Sequence, residues 1–203
     1  IGLYLLSVAC ARDFGWVGTL EAVERLEATL ATMDRLTRHR GHFFNWYDTR
    51  DLRPLDPQYV SSVDSGNLAG HLIALANACC GWREGGTGDT GEDAPWRAGL
   101  ADAARLAGSE LERLTGTGTP PPGLLAVGAA LAVIDVRVAA RDGDLAGLYA
   151  DTRTTAALAQ AFAAGHGGAT DLASDLVFWA AALHRTVESH RRDTAGPAAL
   201  APR

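Results

Sequence analysis

Apolar residues recur at steps of three and four along most of this chain, and this spacing restricts the fold more than any other feature. The clearest case lies between residues 19 and 37, where the residues between the apolar positions are mostly charged. Such a pattern predicts an amphipathic helix with one buried face. The positions on that face are Leu20, Val23, Leu26, Leu30, Met33 and Leu36. Thr19 is the predicted N-cap, and Glu21 lies in the first turn, where the helix dipole favours a negative charge.

Strand signals are almost absent, so the sequence predicts an all-α fold whose helices are joined as successive hairpins. The predicted helices cover about 2–13, 19–37, 63–81, 95–114, 123–141, 146–164 and 170–192. We expect the first and the third to be the most buried, because their apolar residues surround the helix axis. The segment 85–95 is rich in Gly, Thr and Asp and is predicted to be a flexible surface loop.

Length and composition indicate one sizeable domain of ordinary globular character. The chain has 203 residues, of which 47% are hydrophobic and 21% are charged, and its formal net charge is −6. That charge argues against a non-specific nucleic-acid surface. The longest apolar run, 123–136, is broken by Asp135, and no run reaches the roughly 18 residues of a membrane-spanning helix. We therefore expect no nucleic-acid partner and no membrane contact by this segment itself.

The cysteines and histidines do not form a framework or a recognisable ligand set. Cys10, Cys79 and Cys80 are odd in number, and two of them are adjacent, so they are predicted to be buried or half-buried free thiols. The six histidines lack metal-ligand spacing with Cys, Asp or Glu. We predict no metal site and no cofactor within the segment.

One stretch departs from the helical pattern, because residues 43–60 gather five aromatic side chains and set polar ones among them. The aromatic residues are Phe43, Phe44, Trp46, Tyr47 and Tyr59, and the polar ones include Asn45, Asp48 and Arg50. Pro54 and Pro57 exclude a continuous helix. The stretch is therefore predicted to be an ordered loop, or a small hairpin that turns back within 49–54. In a strand, Trp46, Asp48 and Arg50 would share one face.

The helix that follows has its own start signal. Ser61 and Asp64 have the spacing of a capping box, in which each side chain bonds the backbone amide of the other residue. Asn67 lies one turn along from Asp64 and would face the same space. Gly66 and Gly70 would permit close approach by a neighbouring helix or a ligand.

Two interpretations of this region stay open on the residues alone. A sugar ring needs flat aromatic groups for its C–H face and Asp, Asn or Arg groups for its hydroxyls, and residues 45–50 offer both. Alternatively, the aromatic loop only caps the end of a helical bundle. In that case Asp48 and Arg50 form a surface ion pair of little energetic worth.

Three stretches resemble cyclic β-1,2-glucan synthases. The first two, 1–36 and 41–79, are specific, and the third, 179–193, is less sharp. The most distinctive residues are Asn45-Trp46-Tyr47-Asp48 followed by Val63-Asp64-Ser65-Gly66-Asn67-Leu68, whereas the middle of the chain matches only in helical pattern. The resemblance favours ligand binding over a simple cap.

The resemblance implies a large bacterial inner-membrane enzyme that combines a membrane-embedded glycosyltransferase, a glucoamylase-like helical domain and a phosphorylase-like domain. This chain would lie at the start of the glucoamylase-like part, an (α/α)6-type toroid on the cytoplasmic face of the membrane. Residues 1–84 would supply its first helices and the sugar-binding loop, and residues 85–203 a variable Ala-rich region. Its partners would be β-1,2-glucan and the other domains of the same polypeptide.

The resemblance also implies that this segment binds substrate without carrying out the chemistry. The implied substrate-binding residues are Trp46, Tyr47, Asp48, Arg50, Asp64, Ser65 and Asn67. We expect the two carboxylates of a retaining transglycosylation, which stand about 5 Å apart, to lie beyond Arg203, so no catalytic residue is assigned here. Two alternatives remain: a small self-contained glycosidase that uses Asp48 and Asp64, and a non-catalytic helical interaction module.

Overall fold

The computed structural model of the chain describes residues 1–84, 94–116, 119–140, 143–165 and 171–194. Within these ranges it contains seven α-helices and one two-stranded sheet, which confirms the all-α fold. The helices are α1 (Gly2–Asp13), α2 (Thr19–Arg35), α3 (Ser62–Glu84), α4 (Pro95–Thr115), α5 (Pro122–Ala139), α6 (Leu145–Gly165) and α7 (Asp171–Asp193). The loop predicted at 85–95 lies almost wholly outside the described residues.

The sheet lies earlier than the sequence predicted, since its strands are β1 (Arg38–His39) and β2 (His42–Phe43) and not a strand within 43–60. Arg40 and Gly41 connect them with φ angles of 51° and 88°. Positive φ at both central residues is what a two-residue hairpin turn requires, and glycine supplies it without steric cost. The prediction missed this turn because Arg40 is not a residue type that favours positive φ.

The chain divides into two compact units, Ile1–Ala11 with Ala22–Thr87, and Arg12–Glu21 with Gly88–Arg203. In the second unit, α4 packs against α5, α5 against α6, α6 against α7, and α7 against α4. These contacts close a cycle of four helices around one apolar core. Its fully buried large side chains include Leu100, Ile134, Leu148, Leu176 and Leu183.

Helix α5 is the most apolar element of that core. Contrary to the sequence expectation, α5 is long and apolar enough, by length and composition, to cross a membrane. One such helix is weak evidence, because core helices of soluble proteins satisfy the same criterion. Leu124, Val127, Leu131 and Ile134 of α5 are buried against the other helices of the unit.

In the first unit, α3 is far less buried than predicted. Leu75 is its buried residue, whereas Val63 and Ile73 are 69% and 65% exposed. Apolar residues surround the axis of α3, but neighbouring elements cover only part of its circumference. For the same reason Cys79 and Cys80 are exposed, as is Cys10 on α1, so the prediction of buried or half-buried thiols was wrong.

A row of polar side chains on α7 holds the connection between α1 and α2. Thr186 and His190 bond the carbonyl oxygens of Trp16 and Gly15, at 3.2 and 2.8 Å, and the backbone N–H of Gly18 donates to Ser189 Oγ at 2.8 Å. Together with Asp193, these residues follow the three- and four-residue spacing of one helix face. His190 lies in the charged last turn of α7 but is only 4% exposed, because it faces this connection.

Asp193, and not Thr19, caps the N-terminus of α2. Its two carboxylate oxygens accept hydrogen bonds from the backbone N–H groups of Thr19 and Leu20, at 2.7 and 2.8 Å. The hydroxyl of Thr19 instead accepts from Arg12 Nε at 3.1 Å. The capping group therefore comes from a residue 174 positions away.

Gly15 and Gly99 allow the same connection to lie against α4. Gly15 has a φ of +75°, and a Cβ atom on it would collide with the backbone of Pro95 and Trp96. A Cβ atom on Gly99 would collide with the carbonyl group of Gly15. The backbone-to-backbone contact leaves no room for a side chain at either position.

Candidate functional site

The aromatic segment folds back on itself as a narrow hairpin whose arms meet through backbone hydrogen bonds. Leu55 N–H donates to the carbonyl of Trp46 at 3.0 Å, and Asp48 N–H donates to that of Arg53 at 2.9 Å. The chain reverses between Asp48 and Arg53, where Leu52 has a positive φ of 63°. The predicted reversal within 49–54 is therefore present, although only an isolated bridge is regular enough to count as strand.

Asn45 joins the start of this hairpin to the start of α3. Its side-chain amide donates to Asp64 at 2.8 Å, its side-chain oxygen accepts from Ser61 N–H at 3.1 Å, and its backbone N–H donates to the carbonyl of Tyr59 at 2.9 Å. Half of the predicted capping box is present, because Asp64 N–H donates to Ser61 Oγ at 3.1 Å. In the other half, the backbone N–H of Ser61 donates to the side chain of Asn45 and not to that of Asp64. The carboxylate of Asp64 is instead oriented by its bond from the Asn45 amide.

A cleft of about 570 Å³ opens where β2, the hairpin, α1 and the first turns of α3 meet. Four of the predicted site residues line it, namely Tyr47, Asp64, Ser65 and Asn67. Phe43 and Phe44 add aromatic surface. The volume is within the range of small-molecule sites, and a mainly apolar wall with a few polar groups is typical of such sites.

The other three predicted residues, Trp46, Asp48 and Arg50, do not line the cleft. Asp48 is tied to Arg50, whose backbone N–H donates to one carboxylate oxygen at 2.9 Å and whose guanidinium contacts the other at 3.0 Å. These bonds from Arg50 hold the pKa of Asp48 below its usual value. The side-chain hydrogen bond with Asp48 in turn raises the pKa of Arg50. Asp48 therefore stabilises the turn of the hairpin as a carboxylate.

Trp46 forms an exposed aromatic surface together with Tyr59. The two rings stack with centroids 6.2 Å apart and planes 29° from parallel. Trp46 is 51% exposed and Tyr59 is 53% exposed, so the pair presents flat apolar area to solvent. Such a surface suits the C–H face of a sugar ring.

Tyr47 braces the hairpin from inside. Its hydroxyl donates to the carbonyl of Thr37 at 2.7 Å and accepts from the backbone N–H of Phe44 at 2.8 Å. Its ring lies edge-on to that of Phe44, with centroids 6.3 Å apart. Because both hydrogen-bonding functions of the hydroxyl are used within the chain, Tyr47 offers a ligand its ring and not its oxygen.

Two histidines that the sequence analysis did not single out also line the cleft. His42 Nδ1 lies 3.1 Å from Ser65 Oγ, and His71 stands on α3 one turn beyond Asn67. The spacing of Asp64, Asn67 and His71, at three and four residues, was the signal for a common helix face. His42 carried no such signal, because the hairpin turn that places it was not predicted.

Within the part of the chain that the structure describes, no group of three or more His, Cys, Asp and Glu side chains is arranged to hold a metal ion. The chemistry that the cleft offers is hydrogen bonding from neutral and acidic groups beside aromatic surface.

No protein-family model matches the chain. Among curated proteins, it is similar to the cyclic beta-(1,2)-glucan synthase NdvB of Rhizobium meliloti (strain 1021), with 46% identity over 84 residues. The similar part is 41% of this chain and 3% of the length of that synthase. The match agrees with the family that the sequence was found to resemble.

Proposed function

We propose that this chain is part of a cyclic β-1,2-glucan synthase and that it contributes glucan-binding residues to a helical, glucoamylase-like domain. The proposed role of that domain is the transglycosylation that closes linear glucan into rings. The observation that carries the proposal is the cleft between the aromatic hairpin and the start of α3, in a chain 46% identical over 84 residues to a curated synthase. The parent protein is proposed to be a membrane-embedded glycosyltransferase whose helical domain, an (α/α)6 toroid, faces the cytoplasm.

The polar residues of the cleft suit sugar hydroxyls. Asp64 keeps acceptor capacity beyond its one bond from Asn45, since an ionised carboxylate has about four lone-pair sites. Asn67 is exposed near the start of α3 and offers both a donor and an acceptor. Asp64 and Asn67 would orient a sugar unit, while Phe43 and the ring of Tyr47 cover its apolar face.

Trp46 and Tyr59 would support a neighbouring part of the same glucan outside the cleft. An extended chain of sugars needs more contact area than one cleft provides. Arg50, 87% exposed at its side chain, stands on the same hairpin with donors directed to solvent, and Asp48 fixes its position. In this proposal Asp48 positions Arg50 and does not itself contact sugar.

The state of Asp48 disfavours the small-glycosidase alternative. A retaining glycosidase needs one carboxyl group whose pKa is raised so that it can donate a proton. Arg50 lowers the pKa of Asp48 instead, and Asp48 does not line the cleft that Asp64 lines. The exposed apolar side chains of α1 and α3, such as Leu3 and Ile73, favour an interaction module as the second candidate.

Trp46→Ala is expected to weaken binding of linear β-1,2-glucan at least tenfold, because a stacked aromatic in a binding site contributes about 2 kcal/mol. The measurement is isothermal titration of purified full-length protein with linear β-1,2-gluco-oligosaccharides. Asn67→Ala is expected to lose about tenfold through its hydroxyl contacts.

Trp16→Ala is the matched control, since Trp16 is also about half exposed, at 48%, but is not among the residues that line the cleft. It should bind glucan like wild type. A buried control, Trp96→Ala, should lower the urea midpoint of unfolding without changing affinity, because Trp96 is 5% exposed in the four-helix core. If the Trp46 and Asn67 variants bind glucan with wild-type affinity, the hairpin does not bind glucan and only caps the end of the helices.

A further inference from the structure

The contacts of His42 favour a ring proton on Nδ1. Ser65 Oγ donates its only proton to the carbonyl of Ser61 at 2.8 Å, in the usual back-bond of a helical serine. The 3.1 Å contact with His42 Nδ1 must then be a bond that the histidine donates and Ser65 accepts. In the neutral ring this leaves Nε2 as a hydrogen-bond acceptor on the edge away from Ser65.

His71 has the opposite arrangement. Its Nδ1 is buried without a hydrogen-bond partner and lies against Gly2, where a Cβ atom would collide with it. A buried N–H group without an acceptor is costlier than an acceptor left without a donor. The proton therefore belongs on Nε2, on the edge of the ring opposite Gly2.

From these two rings we infer that the cleft recognises hydroxyl groups of its ligand through both histidines, with His71 Nε2–H as a donor and His42 Nε2 as an acceptor. Both residues line the cleft, His42 from β2 and His71 from α3. A sugar hydroxyl both donates and accepts, so the hydroxyls of a pyranose satisfy a donor and an acceptor in one cleft, whereas a carboxylate or phosphate would leave the His42 acceptor facing negative charge. The inference rests on the proposed glucan function and assigns two further contacts to it.

The tautomers are tested first and without ligand. Long-range ¹H–¹⁵N correlation spectra of the full chain at pH 8 should show His42 with its proton on Nδ1 and His71 with its proton on Nε2. Assignments come from the loss of each signal in His42→Asn and His71→Gln. A His71 ring protonated on Nδ1, or a His42 ring protonated on Nε2, overturns the inference whatever the chain binds.

Binding is tested with amides that imitate one ring nitrogen at a time. The amide of Gln reaches the position of Nε2, and that of Asn the position of Nδ1. His71→Gln should bind a linear β-1,2-gluco-oligosaccharide within about threefold of wild type, whereas His71→Asn should lose about tenfold. His42→Asn keeps the donor to Ser65 but removes the acceptor, and it should also lose about tenfold.

Each outcome of the binding test decides one of the two proposals. Circular dichroism and the urea midpoint identify any variant that fails to fold. If His71→Asn fails to fold, the binding of His71→Gln and His42→Asn still tests the assignment. A wild-type chain that does not bind the oligosaccharide overturns the function proposed above and, with it, this assignment. Wild-type binding that is unchanged in His42→Asn and His71→Asn overturns this assignment alone.

Discussion

Gly15→Ala is expected to lower the free energy of unfolding by about 3 kcal/mol or more, from the sum of backbone strain and overpacking. Gly15 has a φ of +75°, which a residue with a Cβ atom rarely adopts, and the added atom would meet the backbone of Pro95 and Trp96. Backbone atoms cannot turn aside as a flexible side chain does. The measurement is urea-induced unfolding followed by circular dichroism.

Three other glycines separate the two causes. Gly99→Ala should cost about 2 kcal/mol from overpacking alone, because its Cβ atom would meet the carbonyl of Gly15 at an ordinary helical φ. Gly41→Ala should cost about 1 kcal/mol from strain alone, since its φ is +88° and nothing lies within 4 Å. Gly108→Ala, in open space on the same helix as Gly99, should instead stabilise by about 0.5–1 kcal/mol. Equal effects at Gly99 and Gly108 would contradict the close approach at Gly15.

Asp193→Ala is expected to cost about 2–3 kcal/mol, because it leaves two backbone N–H groups at the start of α2 without their charged acceptor. An aspartate in the last turn of a helix interacts unfavourably with the dipole of that helix, here α7. The stabilising effect of Asp193 therefore comes from the hydrogen bonds that it accepts at the N-terminus of α2. Hydrogen exchange of the Thr19 and Leu20 amides should accelerate in the variant, and the urea midpoint should fall.

Asp193→Asn should recover more than half of that loss, since asparagine is also a good capping residue and keeps one acceptor oxygen. Asp175→Ala is the matched control on the same helix. Its carboxylate is 61% exposed and lies 3.9 Å from Arg113, so its removal should change stability by less than about 0.5 kcal/mol. Unchanged exchange of the Thr19 and Leu20 amides in Asp193→Ala would show that α2 does not depend on this cap.

The helices could be predicted from the sequence because their signals are local. Pro95 at the first position of α4 and the three- and four-residue spacing of α2 act within one or two turns, and the bounds agree closely with the structure. The cap of α2 could not be predicted, because Thr19 satisfied the local rule while a remote aspartate supplied the bond. Burial of α3 was overestimated for a related reason, since apolar composition does not say which neighbours will cover a face.

The candidate site was predicted in its composition and not in its arrangement. Asp64, Ser65 and Asn67 share a cleft because helical spacing is predictable. Trp46 was expected beside them, but the register of the hairpin turns it to the outer surface, next to Tyr59. The reversal of that hairpin includes a positive φ angle at Leu52, for which this residue type gives no signal.

The capping of α2 by Asp193 has a consequence for the order of synthesis. A ribosome adds about 5–20 residues per second, so the first turn of α2 leaves the exit tunnel roughly ten seconds or more before the group that completes it. During that interval Thr19 and Leu20 can bond only water, and the nascent helix begins with open amides. Helix α2 therefore acquires its cap only after α7 has emerged, and a message truncated before the codon for Asp193 would yield a chain whose α2 lacks this cap.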